Sequence, residues 1–523
     1  MSSAEVQNEV SSDHKDTLQK SLSGGQWYLV NMLTQKIFVF GSFFITARLL
    51  TPADFGLVAV AGIYPSFVDA LTSFTFESAL TQKKEGEEKP YLNVAWSFTL
   101  LRSILIFCIV FFSAPLVAEF FHAAAHVNLF RLSGLLFIFQ GFSNIGSIYF
   151  FRDLDFKKVF IRDLSLQATS STIAVTGAFF FHSFWALFAG NTAGILAAAI
   201  STYFLNPYRP KLDLQFSKLK QLLPYTKWIF GQYLLNQSAK TLEDTLVGHF
   251  ATFTNIGLLT KTKALSHALT SPVSSLISKV SFSAFARVQD SQQHIREGIY
   301  KSVDVLAGIA IPFLAVILIA GHRIISIILG DQWLGMVPML NVLTFASTLD
   351  TIIISLGMPT FNALGKPQFT FTTNGLYLVA LIVSLPFLVP TLGTYGAVIS
   401  LLIASVASSI GVLILIDHLV KPSWLRLMET VGVTSISLLV PLIPSYFFLR
   451  FSFIYETLGF LVVGLFIVIG YVASVIFIGR KFKKGPYATY MLIAESLLRS
   501  SAVVRIRNNF HRVWPMKSKS GSI

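Results

Sequence analysis

Apolar runs about as long as a membrane-spanning helix recur from one end of this chain to the other, and they constrain its fold more than any other feature. A helix needs about 20 mainly apolar residues to cross a bilayer. Runs of that kind lie at roughly 24–50, 56–80, 91–118, 128–150, 162–181, 183–205, 226–251, 255–280, 297–320, 336–360, 368–389, 393–418, 425–449 and 456–479. In lipid each backbone polar group has to be satisfied within the spanning structure. The expected fold class is therefore an all-α polytopic membrane protein with about fourteen transmembrane helices. Composition agrees: 53% of the 523 residues are hydrophobic and 13% are charged, against about 25% charged in soluble globular chains. The mean hydropathy is +0.65.

The formal net charge of +14 would raise the question of nucleic acid in a soluble protein. Here the basic residues gather in short segments between apolar runs, so the charge reads as topology and nucleic acid is not an expected partner. One set of connections carries Lys83, Lys84 and Lys89, then Arg152, Lys157 and Lys158, then Arg209, Lys211, Lys218 and Lys220. It continues with Arg287, Arg296, Lys366, Lys421 and the tail from Arg480, whereas the alternate set holds little beyond Arg323 and Arg450. Lysine and arginine excess marks the cytoplasmic side, which places both termini inside a bacterial inner membrane.

The organisation that follows is a cytoplasmic segment at 1–20 without a cleavable signal, and a first helical bundle at 21–205. A cytoplasmic linker at 206–225 leads to a second bundle at 226–418 and two additional spans at 419–480. The basic tail, 481–523, suits anionic lipid headgroups, so membrane lipids are expected partners. The single cysteine, Cys108, excludes an intramolecular disulfide.

Charge inside the spans is the informative feature. A charged side chain at the bilayer centre costs about 2.5–3.5 kcal/mol on insertion scales, so it is expected to face a cavity, a partner or the interface. The first group is Arg48, Asp69, Glu77, Arg102 and Asp163. A denser group at 226–283 includes Gln232, Asn236, Gln237, Lys240, Glu243, Asp244, His249, Lys261, Lys263, His267 and Lys279. Lys240 and Asp244 lie one helical turn apart and share a face with Asn236 and Gln237, while Lys263 and His267 repeat that spacing in the next span. Cations outnumber acidic partners here, which points to an anionic passenger: arginine suits bidentate contact with phosphate, and lysine supplies a point charge. Internal ion pairs that only fix helix packing are the plainer reading of the same residues.

The chain carries no phosphate-binding loop, no GxGxxG after a strand, no HExxH and no GxSxG. His122 and His126 are expected to be interfacial residues, not a metal site, and no cofactor or metal is expected. A proton or sodium gradient is the candidate driving force.

Several strings narrow the class. Ala47-Arg48-Leu49-Leu50-Thr51-Pro52-Ala53-Asp54-Phe55-Gly56 resembles the signature between the first two spans of polysaccharide flippases in the multidrug/oligosaccharidyl-lipid/polysaccharide exporter superfamily. Phe151-Arg152-Asp153-Leu154-Asp155-Phe156-Lys157-Lys158 resembles their basic loop after the fourth span. Phe285-Ala286-Arg287-Val288-Gln289-Asp290 resembles the one after the eighth, and Gly330-Asp331-Gln332-Trp333 the loop before the tenth. The subgroup resembled is that of colanic acid, teichuronic acid and other lipid-linked polysaccharides.

The resemblance implies two pseudo-twofold-related bundles in a MATE-like V shape, alternating access, and a central cavity for sugar and pyrophosphate. Asn236, Asp244 and Gly248 match the family's polar seventh span, from which Lys240 and Glu243 depart. On this reading Arg102, Lys240 and Lys263 meet the anionic head, Asn236 and Gln237 meet the sugar, and Arg48 is a gate or entrance residue. Asp69, Glu77 and Asp244 are the ion-coupling candidates. The expected function is translocation of an undecaprenyl-pyrophosphate-linked oligosaccharide, with no covalent chemistry. A polysaccharide polymerase or glycosyltransferases are expected partners. Two alternatives stand beside it: a proton- or sodium-coupled exporter of drugs or small molecules, and a non-transporting membrane scaffold for polysaccharide synthesis.

Overall fold

The computed structural model describes residues 3–72, 80, 89–215, 223–268, 270–451, 466, 467, 469–475 and 477. Glu77, Lys83, Lys84, Lys218, Lys220 and the basic tail lie outside these residues, as does most of the run at 456–479.

Among the described residues every regular element is helical. In chain order the first are α1 (Ser3–Leu49), α2 (Pro52–Thr72) and α3 (Lys89–Phe120). Three short helices follow, α4 (Val127–Ser133), α5 (Leu135–Gly141) and α6 (Ile148–Arg152), then α7 (Phe156–Phe181) and α8 (Trp185–Leu205). Next come α9 (Leu223–Phe250), α10 (Phe253–Ser266), α11 (Thr270–Arg287), α12 (Gln292–Ile328) and α13 (Val337–Leu349). The last are α14 (Ser355–Ala363), α15 (Pro367–Leu392), α16 (Thr394–Val420) and α17 (Trp424–Phe451). A 3₁₀ turn, Asp331–Met336, leads into α13, and a π turn, Asp350–Ile354, joins α13 to α14.

Ten of these helical stretches are long and apolar enough to cross a membrane, or eleven if one bent pair counts as a span. The expected fourteen is therefore not reached among the described residues. The run at 128–150 is not one straight helix: Ala124–Gly141 and Ile145–Arg152 meet at 65°. Asn144 makes the break. Its backbone N–H donates to Thr202 Oγ1 and its side chain caps Gly146 and donates to the Tyr208 carbonyl, so the polar groups freed at the bend are satisfied. The run at 226–251 is helical as α9 but carries several charged and amide residues, and the run at 255–280 is divided between α10, only 14 residues long, and α11; the run at 456–479 lies mostly outside the described residues.

The chain divides into two compact units: Met1–Thr262 with Ile324–Val337 and Leu381–Ser400, and Lys263–Arg323 with Pro338–Ala380 and Leu401–Ile523. In the first unit α7 and α8 pack backbone to backbone. A Cβ on Gly190 or Gly194 would lie 2.7 Å from the Ser170 or Leu166 carbonyl oxygen, respectively, the close contact that small residues four apart permit between membrane helices. The turn expected between these two helices is present, with His182 in the left-handed conformation. In the second unit Phe285, Ile299, Val303, Leu306, Phe361 and Val412 form a core shared by α11, α12, α14 and α16. A buried bond from Thr430 Oγ1 to Asp304 Oδ1, 2.8 Å, ties α17 to α12.

Candidate functional site

The first unit contains a reciprocal clasp between the ends of α1 and α12. A helix leaves its last four carbonyls without intrahelical partners. At the end of α1, the Ala47 carbonyl accepts from Trp333 Nε1 at 2.9 Å and from Gln332 Nε2 at 2.8 Å, and Gln332 also donates to the Leu50 carbonyl at 3.2 Å. At the end of α12, Arg48 donates through Nε to the Ile328 carbonyl at 3.1 Å and through Nη2 to the Ile327 carbonyl. The end of α1 thus has its carbonyls capped from the turn after α12, and the end of α12 has its carbonyls capped by Arg48 in the last turn of α1, which adds its charge at the negative end of the α12 dipole.

The clasp has an aromatic interior. Trp333 is fully buried, with its ring 5.6 Å from Phe43 and 5.3 Å from Phe55, both edge to face. Lys261, on α10, places Nζ 4.8 Å from the Phe43 ring and 4.7 Å from the Phe55 ring, within the reach of a cation–π contact. α10 reaches this position because α2 and α10 touch through bare backbone. A Cβ on Gly56 would lie 1.8 Å from the Phe253 carbonyl oxygen, and one on Gly257 would lie 1.8 Å from that of Pro52.

Further along α2, the same unit holds an apolar cavity of about 540 Å³ between α2, α3 and α9. It is lined by Ile63, Tyr64 and Phe67, by Leu116, Val117 and Phe120 on α3 with Phe121 just after it, and by Ser238, Thr241, Leu242 and Thr245. At one end His249 stacks on Phe120, 4.5 Å between ring centres, with Nδ1 2.8 Å from the Phe120 carbonyl oxygen. Beyond the cavity, Arg102 Nη1 donates to Asp69 Oδ1 at 2.8 Å and to Thr72 Oγ1 at 3.3 Å. The two charged side chains are only 15% and 19% exposed, so each supplies the counter-charge the other needs in the membrane. Asp163 is satisfied differently: Arg162 donates to one oxygen, and Asn31 and Gln35 donate to the other.

The structure therefore joins Arg102 and Asp69 as partners and puts Arg48 in the clasp. Gln237 and Asp244 are half-buried on α9 and Lys240 is exposed; none of the three lines the apolar cavity. Asn236 is a helical position of α9. Lys263 falls in the second unit, at the other end of α10 from Gly257. Sequence reasoning missed the caging of Lys261 and the capping by Trp333 and Gln332. The signal was present in two motif strings, but nothing in their spacing shows that positions 285 residues apart bond. It also missed Asp350, which lies in the π turn. Among the described residues no group of three or more His, Cys, Asp or Glu is placed to hold a metal ion.

A multi-span helical protein with ion pairs and polar helix faces inside its spans is a polytopic membrane protein by class. Its fold is similar to the lipid II flippase MurJ in an inward closed conformation, with a TM-score of 0.70 at 12% identity over 87% of this chain and 99% of that one. The chain belongs to the family of polysaccharide biosynthesis proteins, whose model matches residues 45–338 and so takes in both halves of the clasp. It is 21% identical over 340 residues to the teichuronic acid biosynthesis protein TuaB of Bacillus subtilis (strain 168), covering 64% of this chain and 69% of that protein. It is likewise 21% identical over 349 residues to the lipopolysaccharide biosynthesis protein WzxC of Escherichia coli (strain K12), covering 64% and 68%.

Proposed function

We propose that this chain is a flippase that carries a lipid-linked oligosaccharide across the bacterial inner membrane for exopolysaccharide, capsule or O-antigen assembly. It is a secondary transporter that changes no covalent bond. Family membership supports this, since teichuronic acid, lipopolysaccharide and lipid II are the substances named in its relatives by sequence and fold. The observation that carries the mechanism is the clasp. It holds helix ends together through hydrogen bonds worth about 0.5–1.5 kcal/mol each net and one cation shared by two aromatic rings, so it can open and reclose without chemistry.

In this reading the chain has fourteen spans, with both termini in the cytoplasm and two bundles, 21–205 and 226–418, alternating around a central cavity. A polar head moved through hydrocarbon without partners loses its hydrogen bonds to water, and the protein replaces them. Lys240 and Lys263 meet the pyrophosphate, with Asn236 and Gln237 at the sugar and Arg48 in the gate. Arg102 joins them when an anionic head displaces Asp69 from it, which frees a carboxylate to take up a cation. Asp244 and Glu77 are the other ion-coupling candidates. The decisive experiment is translocation of defined undecaprenyl-pyrophosphate oligosaccharides by the purified protein in liposomes, with and without proton and sodium gradients. Flipping no faster than in protein-free vesicles under every gradient refutes the proposal.

A further inference from the structure

The first turns of α12 meet the connection from α16 to α17 at one corner of the second unit, and the contacts there gather cations. Arg296 Nε donates to the Val420 carbonyl at 2.6 Å, capping the end of α16. Tyr300, one turn further along α12, accepts from the Ser423 backbone N–H at 2.6 Å, and its ring lies 4.6 Å from the Arg426 guanidinium. Lys421 is exposed at the turn, in the left-handed conformation, and Lys301 and Arg426 are exposed as well. Glu297, Asp417 and Glu429 each lie within a helical turn of one of these residues. Even so, none of the four cations forms an ion pair among the described residues. Asp417 instead accepts from Trp424 Nε1 at 2.7 Å. The positive charge at this corner is therefore left for an anion from outside the unit.

An apolar cavity of about 420 Å³ adjoins the same corner. Its walls include Ile299 and Val303 of α12, Ile353 and Leu356 at the π turn, and Trp424 and Met428 of α17. The cavity opens outward, since Met428 is 71% exposed. Gly432 also lines it, and a Cβ there would meet nothing within 4 Å. Walls facing an empty space forfeit their dispersion contacts, and an acyl chain from the surrounding bilayer would restore them. Lipid tails are as apolar as leucine, so the cavity alone cannot choose between lipids; the unpaired cations at its mouth can. Trp424, between the two, suits the headgroup level that tryptophan favours in membrane proteins.

We propose that this corner binds one anionic glycerophospholipid, with an acyl chain in the cavity and the phosphate on Arg426 and Lys421. Arginine offers the phosphate a fork of donors and lysine a point charge. The occupant is a lipid of the surrounding leaflet and not the cargo, so the site stands whatever the protein carries.

The test is native mass spectrometry of the purified full-length protein, titrated with phosphatidylglycerol or with phosphatidylcholine of the same acyl chains. Phosphatidylglycerol is expected to bind more tightly as the first lipid. A basic residue at an anionic headgroup is worth about a fivefold change in affinity, so Arg426→Gln should weaken that binding about fivefold and Arg426→Gln with Lys421→Gln about 25-fold. Phosphatidylcholine binding is expected to stay the same in both. Gly432→Leu, which puts a side chain into the cavity, should weaken both lipids. Lys157→Gln, which removes an exposed cation of the first unit, should change neither. The assignment is overturned if the wild type binds the two lipids equally, if the double substitution or Gly432→Leu binds like wild type, or if Lys157→Gln loses as much as Arg426→Gln. Displacement of phosphatidylglycerol by equimolar undecaprenyl phosphate also overturns it, since the cavity would then seat a polyprenyl tail.

Discussion

Substituting Gly56 with Ala inserts a methyl group where α2 and α10 meet through backbone alone. The added carbon would lie 1.8 Å from the Phe253 carbonyl oxygen and 2.9 Å from the Gly257 nitrogen. Real Cβ atoms do not approach closer than 3.0 Å, so the helices must part by about 1 Å, and close-packed interiors resist that. Moving α2 away carries Phe55 with it and loosens its 5.3 Å contact with Trp333 and its 4.7 Å contact with Lys261. Overpacking of this kind costs about 1–3 kcal/mol, a shift of about 5- to 150-fold against the closed clasp.

A buried reporter reads the shift. In a Cys108→Ser background, Leu258→Cys places a thiol at a position only 6% exposed on α10. Its labelling rate follows the open population when opening and closing are fast. Gly56→Ala is expected to speed labelling within that range, and Gly257→Ala to do the same. Gly62→Ala, where a Cβ meets nothing within 4 Å, is expected to leave labelling unchanged. Equal labelling in Gly56→Ala and Gly62→Ala, with both folded, refutes the reasoning.

Trp333→Ala is expected to destabilise the protein by about 3–5 kcal/mol, as for other buried aromatic truncations. Trp333→Phe should cost only about 0.5–1.5 kcal/mol, because Gln332 still donates to the Ala47 carbonyl; chemical unfolding separates the two, and equal losses would mean the indole bond is the main contribution. Asp69→Asn and Arg102→Gln should each lower stability, and the double substitution by less than their sum, since the residues are direct partners; additive losses would dissolve the pair as an energetic unit. Lys240→Ala is expected to reduce surface polysaccharide at matched protein abundance, and unchanged export would remove its role in head recognition.

Much of the fold is legible in hydropathy because lipid leaves a chain few choices. The helices at 52–72, 91–120, 292–328 and 394–420 follow directly from apolar length. The break at Asn144 is not legible in that way. It depends on Thr202 and Tyr208, some sixty residues away, which satisfy the groups that the bend frees. The π turn at Asp350 is invisible for a similar reason: it adds no residue type that an α-helix lacks. Polar residues within spans mark where to look but do not give partners. Asp69 and Arg102 stand out singly in the sequence, and only packing of α2 on α3 reveals that each answers the other.

The polar stripe of α9 acquires a direction once its neighbours are known. Ser238, Thr241, Leu242 and Thr245 turn toward α2 and α3 and line an apolar cavity. Gln237, Lys240 and Asp244 follow the same 3.6-residue repeat about 100° around the helix, and Lys240 is exposed. One helix therefore carries a packing face and a charge-bearing face side by side.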